Sequence, residues 1–401
     1  MSQDPTEGPA SEQYESTWLL LIGISLVALN LRPAIVSIAP LLDVIQVELG
    51  LSSAVVSLLT VIPVVLIGVF ALSAPLVVSR VGHDGGIFWG VLLIGVGTIA
   101  RLWGGNWAVL LATTLVAGVG IGIVQALLPA IVKSYFPGRA AFATGLYTVS
   151  LAVGATLASG LTVPISQFFG SWTAALAIWS LIAVLGLTSW TPIQRSMSRN
   201  QLSSTEDQQV PTSGMSISWR EPMVWILTLF FVFNTAVFFS ILTWLPPRFV
   251  ELGWSDTAAG LVLTVFIIAA LTGMLLIMGI GDRSLDRRVF LVPMLLIALI
   301  GIVGVTFFPE TLPWISAFLL GFGTGSWFTI MLMLPVDYMA TSEETGKLSA
   351  IATAGGYIIG GFAPFGIGVL NDLYGEFTIP FGVIGLFVLI GFGMSFLFKP
   401  K

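Results

Sequence analysis

The sequence predicts an all-α polytopic membrane protein in which twelve transmembrane helices form two parallel six-helix repeats. Of its 401 residues, 56% are hydrophobic and only 9% are charged, a composition far from that of soluble domains. The apolar residues fall into twelve runs, and the two halves of the chain resemble each other at a constant offset. These three observations together indicate a large helical body that lies within a bilayer.

The twelve apolar runs divide into two sets of six, which a polar stretch separates. Each run has enough residues to cross roughly 30 Å of hydrocarbon at about 1.5 Å per helical residue. The sequence therefore predicts an N-terminal bundle over residues 17–191 and a C-terminal bundle over residues 222–401. The runs lie near 17–42, 53–79, 86–104, 107–133, 140–168 and 172–191, and then near 222–246, 256–281, 289–308, 311–336, 346–370 and 377–398.

The segments outside these runs predict a tail and a linker. Residues 1–16 are polar and acidic without Lys or Arg, so they lack the basic region of a signal peptide and are expected to form a disordered cytoplasmic tail. Residues 192–221 are rich in Ser, Gln and charged side chains, which predicts a cytoplasmic linker between the bundles. Cysteine is absent, which excludes disulfides, thiolate metal sites and cysteine nucleophiles.

Basic residues indicate the orientation of the helices, because short cytoplasmic loops retain Lys and Arg. With the N-terminus inside, only Arg101 and Arg248 fall on the outer side. Both termini are therefore predicted to be cytoplasmic, in a multi-pass protein of the cell membrane. The twelve basic residues on the inner side are Arg80, Lys133, Arg139, Arg195, Arg199, Arg220, Arg283, Arg287, Arg288, Lys347, Lys399 and Lys401.

The two halves match at an offset of 203 residues, on equivalent predicted helices. Parallel repeats of this kind hold their substrate near the bilayer midplane between the halves. The repeated glycines lie inside apolar runs, so we interpret them as sites of close helix packing and, for Gly120 and Gly323, of sliding during gating. The matches pair Glu48 with Glu251, Ser52 with Ser255, Arg80 with Arg283, and Gly118, Gly120 and Gly122 with Gly321, Gly323 and Gly325.

Arg32 is the one clearly intramembrane charge of the sequence, and Pro33 follows it directly. A guanidinium stays charged at bilayer depth, and its burial there is costly. Pro33 has no N–H and its ring crowds the carbonyl of Leu29, which predicts a helix kink beside a cavity. Because no Asp or Glu lies deep in any predicted span, a structural ion pair is the less favoured explanation, and Arg32 is predicted to bind an anion.

Other polar and aromatic residues at mid-depth are candidates for the same binding site. Amide side chains can donate hydrogen bonds to an anion, and aromatic side chains can wall a small pocket. The same residue types also join or pack helices in membrane proteins, and that alternative stays open for each of them. The candidates beside Arg32 are Asn30, Gln125, Asn234, Tyr147, Trp327 and Tyr357.

Three sequence elements carry a resemblance to a known family: Leu29-Asn30-Leu31-Arg32-Pro33, the glycine-rich run from Gly118 to Pro129, and Leu242-Thr243-Trp244-Leu245-Pro246-Pro247. They are similar to the cyanate and nitroimidazole transporter branch of the major facilitator superfamily. Similarity from Ala354 to Asp372 extends the resemblance over nearly the whole chain. It implies twelve helices, alternating access and a small substrate such as cyanate.

The loop from Gly281 to Arg288 also resembles the acidic and basic loop signature of that superfamily, which falls here on Asp282, Arg283 and Arg287. The equivalent loop of the first half, from Ser79 to Gly86, departs from the signature. Both loops can alternatively be explained as ordinary basic residues at membrane ends.

The sequence therefore predicts a secondary transporter that moves a small, cyanate-like anion by alternating access. Proton coupling stays open, and uniport or anion exchange fits the residues better than proton symport. An exporter of small neutral heteroaromatic compounds such as nitroimidazoles is the alternative, and an anion channel is a further rival. An enzyme is disfavoured because no nucleophile, acid–base pair or metal cluster occurs at one depth. No cofactor, metal or nucleic-acid partner is expected, and a functional monomer is expected.

Overall fold

The computed structural model describes residues 10–136, 139–201, 221–284, 286–339 and 341–398, and within these ranges the chain forms helices and no β-strand. The α-helices are α1 (Ala10–Leu31), α2 (Pro33–Val36), α3 (Leu42–Leu49), α4 (Ser53–Ile99), α5 (Trp107–Tyr135), α6 (Ala140–Phe169), α7 (Trp172–Ala177), α8 (Ser180–Gln201), α9 (Pro222–Glu251), α10 (Asp256–Ile280), α11 (Arg288–Phe307), α12 (Pro313–Tyr338), α13 (Ser342–Gly355), α14 (Ala363–Tyr374) and α15 (Thr378–Ser395). Short 3-10 turns cover Ala39–Leu41, Ala100–Trp103 and Gly281–Arg283, and a π-helical turn covers Gly356–Gly360.

In the described ranges, eleven helical stretches are long and apolar enough to cross a membrane. One of them, Ser53–Trp103, has 51 residues and contains two crossings, because Gly82 interrupts α4 with a φ of 71° and a ψ of 175°. The described chain therefore makes twelve crossings, which confirms the predicted all-α membrane fold. We number them as spans 1–12. In the first half, α1–α3 form span 1, α4 forms spans 2 and 3, α5 and α6 are spans 4 and 5, and α7 with α8 forms span 6. In the second half, α9–α12 are spans 7–10, α13 with α14 forms span 11, and α15 is span 12.

Two predicted boundaries differ from the helices that the structure describes. Helix α1 begins at Ala10, although a disordered tail is expected up to residue 16. Helix α8 continues to Gln201, ten residues beyond the predicted end of the first bundle at residue 191. Residues 1–9 and 202–220 lie outside the described ranges, so the tail and the linker stay predictions over those positions.

Span 1 is interrupted at Arg32, as Pro33 requires. Helix α1 ends at Leu31 and Pro33 begins α2, where its missing N–H leaves no hydrogen bond unmade. The carbonyl of Leu29, which the proline deprives of its helical donor, faces span 5. Gly154 approaches this carbonyl so closely that a Cβ at position 154 would collide with it. A glycine on span 5 thus accommodates the kink beside Arg32.

The repeat predicted from the sequence is visible in the backbone. Gly50 and Gly253 both end a helix with positive φ, at 62° and 87°. The next helix in each half is capped by a serine at the equivalent position, since Ser52 Oγ accepts from Val55 N and Ser255 Oγ accepts from Ala258 N, both at 3.3 Å. The repeated glycines pack closely as well, with Gly120 against the backbone of span 3 and Gly323 against that of span 9. Their role in gating stays a prediction.

The helical body has two ends, which we name by their loops. The basic end carries the connections that follow spans 2, 4, 6, 8 and 10, and the far end carries those that follow spans 1, 3, 5, 7, 9 and 11. At the far end, spans 1–6 and spans 7–12 are tied together. Asp372 on span 11 accepts hydrogen bonds from Ser53 N at 2.7 Å and Ala54 N at 2.9 Å, at the N-terminus of α4, where negative charge is favoured. Further bonds between the halves join Ser159 to Thr264 at 2.7 Å and Thr243 to Thr60 at 3.0 Å.

Candidate functional site

A cavity of about 460 Å³ lies between the two halves of the chain. It is lined by spans 1, 2, 4 and 5 of the first half and by spans 7, 8, 10 and 11 of the second. The cavity extends from Arg32, in the middle of span 1, to Met278 and Met333, which lie within two turns of the basic ends of their helices. Because the far end is tied shut, the cavity is directed toward the basic end.

The guanidinium of Arg32 belongs to the first half, but its neighbours are aromatic residues of the second. Its Cζ lies 5.8 Å from the centroid of the Phe239 ring, within cation–π range. The hydroxyl of Tyr357 lies close enough to the guanidinium for an electrostatic interaction. The Phe239 and Tyr357 rings are themselves 6.2 Å apart, so the guanidinium meets a continuous aromatic wall.

Arg32 nevertheless keeps an unused hydrogen-bond donor. Its Nη1 is buried and has no hydrogen-bond partner. Among the described residues, the carboxylates that form ion pairs do so with other cations: Glu251 with Arg248, Asp337 with Arg287, and Asp286 with Arg288. No Asp or Glu is found among the described residues that line this cavity. The site therefore offers a positive charge and an unbonded N–H, and none of the described cavity residues supplies a negative charge to match them.

Gln125 is the second polar group in the cavity with unmet hydrogen-bonding capacity. Its Oε1 is buried and lacks a partner. The oxygen and nitrogen of a side-chain amide exchange places when the group flips, so Gln125 can present either a donor or an acceptor to a ligand. Tyr147 also lines the cavity and lies near enough to Tyr357 for their hydroxyl groups to interact. Four predicted site residues, Arg32, Gln125, Tyr147 and Tyr357, are thus brought together.

Asn30 and Asn234 do not line the cavity, although both were candidates from the sequence. Asn30 is buried, and it precedes Arg32 by two residues, which places the two side chains about 200° apart around a helix. Asn234 donates from its Nδ2 to the carbonyl of Thr324 at 3.3 Å and so joins span 7 to span 10. For Asn234, the structure supports the alternative of a residue that joins helices.

Trp327 is also placed away from the cavity. It is fully buried, packs against Phe230 with ring centroids 5.1 Å apart, and meets Gly391 of span 12. The neighbouring Phe328 lines the cavity instead. The repeat in the sequence could have indicated that Phe328 and not Trp327 lines the cavity, because the offset of 203 residues relates the cavity residue Gln125 to position 328.

Tyr357 reaches the cavity from an irregular part of span 11. It lies in the π-helical turn Gly356–Gly360, a local widening that is frequent at functional sites. The glycines at both ends of the turn allow it to pack closely, since a Cβ at Gly356 would collide with the ring of Phe231 and one at Gly360 would meet the carbonyl of Val232. The turn therefore positions the Tyr357 hydroxyl opposite Arg32.

The predicted loop signature forms an ion pair at the basic end. Arg287 donates from Nε and Nη2 to the carboxylate of Asp337 at 2.7 and 3.0 Å, and from Nη1 to the carbonyl of Gly281 at 2.6 Å. Arg283 is exposed, and the side chain of Asp282 lies outside the described part of the chain. Asp286 is bound by Arg288, whose hydrogen bonds hold the pKa of that carboxyl below its usual value. The loop thereby ties span 9 to the end of span 10.

The first half has a different contact at the equivalent place. Asp84, which the offset relates to Arg287, accepts a hydrogen bond from the Tyr135 hydroxyl at 3.2 Å. The carbonyl of Asp84 also accepts from Trp190 Nε1 at 3.1 Å. A carboxylate and a phenol therefore replace the arginine–aspartate pair of the second half.

The comparison with known protein families agrees with this architecture of twelve spans, two repeated halves and a central cavity. The profile described as Major Facilitator Superfamily matches residues 18–340 and 247–401. The chain belongs to the Major Facilitator Superfamily. Membership in this superfamily makes the chain a multi-pass membrane transport protein and not an enzyme.

Relatives within the superfamily carry more specific names. The cyanate transport protein of Escherichia coli (strain K12) is 32% identical to this chain over 375 residues, with 92% of this chain and 96% of the relative covered. The 2-nitroimidazole transporter of the same organism is 30% identical, with 93% of each chain covered. Among solved structures, that of a D-xylose–proton symporter superposes with a TM-score of 0.73 over 97% of this chain and 98% of the other, at 14% identity. That likeness shows the major facilitator fold alone.

Proposed function

We propose that this chain is a secondary transporter for a small, cyanate-like anion, and that Arg32 binds the anion in the central cavity. The observation that carries the proposal is the Arg32 guanidinium, which lines the cavity with a buried, unbonded Nη1 and no carboxylate partner in the described part of the chain. A half-buried guanidinium without a counter-charge is unfavourable in such surroundings, and a bound anion would compensate it. The name of the cyanate transport relative supports the same substrate class.

The residues around Arg32 suit an anion of a few atoms. Tyr357 and Tyr147 can donate from their hydroxyl groups, and Gln125 can donate from its amide after a flip. The remaining wall is largely apolar or aromatic, with four threonines among its residues and with Phe239 against the guanidinium. The anion would thus exchange its hydration shell for one charged donor and two or three neutral donors.

The proposed orientation places the basic end in the cytoplasm, because that end carries twelve of the fifteen Lys and Arg residues. Both termini then lie inside, and the conformation described above faces the cytoplasm with its outer end shut. Release of the ties at Asp372 and Thr264 would open the other side in the alternate state. The cavity is formed within one chain, which fits a functional monomer.

Coupling to protons is not part of the proposal. Protonation during transport usually takes place on a carboxylate or histidine inside the membrane. The described cavity residues include neither, and the single histidine, His83, follows the Gly82 break at the basic end. Uniport or anion exchange therefore suits the residues better than proton symport.

Export of small neutral heteroaromatic compounds is the second candidate function. Five aromatic rings line the cavity, and the relative named a 2-nitroimidazole transporter is 30% identical to this chain. Flat heteroaromatic rings can stack on such walls, and the oxygen atoms of a nitro group can accept hydrogen bonds from Arg32. The rings are those of Tyr147, Phe231, Phe238, Phe328 and Tyr357.

The test is binding and counterflow in proteoliposomes that contain the purified chain. Cyanate, nitrite, formate and 2-nitroimidazole are offered to the wild type and to Arg32→Gln, Arg32→Lys and the exposed control Arg283→Gln. We expect Arg32→Gln to lower anion affinity at least about 30-fold, because it removes one partner of a buried charge pair. We expect Arg32→Lys to retain part of the affinity and the control to retain all of it.

Three outcomes would contradict the anion proposal. Equal anion affinity in the wild type and in Arg32→Gln would remove Arg32 from the site. Saturable counterflow of 2-nitroimidazole alone, undiminished in Arg32→Gln, would favour the second candidate. Anion flux that neither saturates nor supports counterflow would indicate a channel.

A further inference from the structure

A second concavity lies on the outside of the first half, at its basic end. It has a volume of about 350 Å³ and lies between spans 2, 3 and 4. Leu76 and Trp89 on its walls are 66% and 52% exposed, so the concavity faces the surroundings of the helical body and not the central cavity. We call it the lateral groove; it is lined by Phe70, Ser73, Leu76, Val77, Arg80, Val81, Gly86, Trp89 and Ile123.

The walls of the lateral groove are apolar apart from one charge at its rim. Ser73 donates its hydroxyl to the carbonyl of Val69 on its own helix at 2.8 Å, so it offers no free donor to a ligand. Arg80 is exposed, and no described carboxylate forms an ion pair with it. The groove thus combines an apolar wall with one guanidinium, that of Arg80, which is available to a ligand.

The length of the groove corresponds to one leaflet of a bilayer. Phe70 and Arg80 are ten residues apart on α4, about 15 Å at a rise of about 1.5 Å per residue, which is half of the roughly 30 Å hydrocarbon core. Arg80 lies two residues before the break at Gly82, where span 2 ends. The guanidinium is therefore at the level of lipid headgroups, and the apolar wall reaches from it toward the midplane.

The second half keeps the charge of this groove but not its walls. The offset of 203 residues relates Arg80 to Arg283, which is also exposed. It relates Trp89 to Val292 and Phe70 to Gly273, so both aromatic walls are missing at the equivalent positions. The repeat therefore provides a matched arginine with the same charge and nearly the same depth, but without the aromatic groove.

We propose that the lateral groove binds one anionic phospholipid from the leaflet at the basic end. One acyl chain lies along the wall between Phe70 and Trp89, and the phosphate accepts hydrogen bonds from the Arg80 guanidinium. Arginine forms paired, charge-assisted hydrogen bonds with phosphate, and basic residues at the membrane surface favour anionic lipids. This inference does not depend on the substrate of the central cavity.

The experiment compares phosphatidylglycerol with phosphatidylcholine that carries the same acyl chains. Purified full-length chain in detergent is titrated with each lipid, and both thermal stability and the number of lipids retained in native mass spectrometry are recorded. Wild type is compared with Arg80→Gln, Arg80→Lys and the repeat-matched control Arg283→Gln. We expect Arg80→Gln to lose about fivefold in affinity for phosphatidylglycerol, which corresponds to about 1 kcal/mol for one basic residue. We expect Arg80→Lys to retain part of the affinity, because it keeps the charge but not the paired hydrogen bonds, and Arg283→Gln to stay close to wild type.

Other outcomes decide against the proposal. Equal affinity of the wild type for both lipids would show that Arg80 selects no headgroup. An equal loss in Arg80→Gln and Arg283→Gln would show a general effect of surface charge and not a built groove. Trp89→Ala provides an independent check, because it shortens the apolar wall and should weaken the retention of both lipids; unchanged retention would overturn the placement of the acyl chain.

Discussion

The first and second halves of the chain place different side chains at equivalent positions around the same cavity. Gln125 of the first half corresponds to Phe328 of the second, and both line the cavity. Gly154 corresponds to Tyr357: the first packs against the kink of span 1, and the second faces Arg32. The repeat thus supplies a common scaffold, while the positions at which its copies differ supply the charge, the amide and the aromatic wall of the proposed site.

The basic end shows the same contrast in its loops. In the second half, Arg287 and Asp337 form an ion pair. In the first half, the Tyr135 hydroxyl donates a hydrogen bond to the Asp84 carboxylate. Charge-assisted bidentate contacts are stronger than contacts with one neutral partner. The two halves are therefore fastened unequally on the side toward which the cavity is directed.

Gly154→Ala should produce the largest loss of stability among the changes that probe this comparison. A Cβ at position 154 would collide with the carbonyl of Leu29, and overpacking of this kind costs about 1–3 kcal/mol. Gly360→Ala should cost a similar amount, because it meets the carbonyl of Val232, the repeat equivalent of Leu29. The measurement is the free energy of unfolding in detergent micelles.

The control for this change lies on the same helix. At Gly145 an added Cβ would meet only Met278 Cε at 3.8 Å, so Gly145→Ala should be neutral or slightly stabilising. If Gly154→Ala were as stable as Gly145→Ala, the close approach between spans 1 and 5 would be refuted. If Gly154→Ala lowered stability and Gly360→Ala did not, close helix packing at this position would matter for stability only in the first half, which contains Pro33.

Asp337→Asn should have an intermediate effect and should exceed that of Tyr135→Phe. The first change removes the ion pair between Arg287 and Asp337, whose side chains are 13% and 28% exposed. Because this exposure screens the pair, the loss should be about 1–2 kcal/mol. The second change removes one hydrogen bond to Asp84 and should cost about 0.5–1.5 kcal/mol. Unfolding free energies check both values, and the exposed variant Arg283→Gln should change stability by less than about 0.5 kcal/mol. Equal losses at the two ties would contradict the inferred asymmetry.

Gln125→Ala and Phe328→Ala should have the smallest effects, and these should fall on different ligands. Loss of the Gln125 amide should weaken anion binding by about 1 kcal/mol, or roughly fivefold. Loss of the Phe328 ring should weaken binding of a flat heteroaromatic compound by about 0.5–1.5 kcal/mol. Calorimetric titration of both ligands on both variants measures the effects. If Phe328→Ala weakens anion binding more than Gln125→Ala does, the assignment of polar chemistry to the first half is wrong.

Most of the fold could be predicted from the sequence, because each of its determinants is local or periodic. Long apolar runs specify the spans, and Pro33 specifies the break in span 1. The repeat also predicts paired helix ends such as those at Gly50 and Gly253, where a positive φ favours glycine. What the sequence predicts poorly is the junction between spans 2 and 3, where two helices meet at a kink at Gly82 and a longer loop is expected.

The candidate site could be predicted only in part, because hydropathy gives the depth of a residue and not the side of the helix it occupies. Asn234 and Trp327 lie at the expected depth, but they face a neighbouring helix. Phe239, which stacks on Arg32, was missed because a phenylalanine in an apolar run carries no signal of its own. Arg32 could be identified because a charge at that depth is costly wherever it points.

The single irregular residue at Gly82 has a mechanical consequence. Spans 2 and 3 are two helices that meet at Gly82, whose φ of 71° and ψ of 175° are not helical. Spans 8 and 9 are instead joined through the segment 281–287, which contains a 3-10 turn and extended backbone at Ser284. When the tie between Asp372 and the start of α4 is released, the short junction at Gly82 keeps the basic ends of spans 2 and 3 together. The corresponding movement of span 8 can be absorbed by bending of its loop, so span 9 can stay in place.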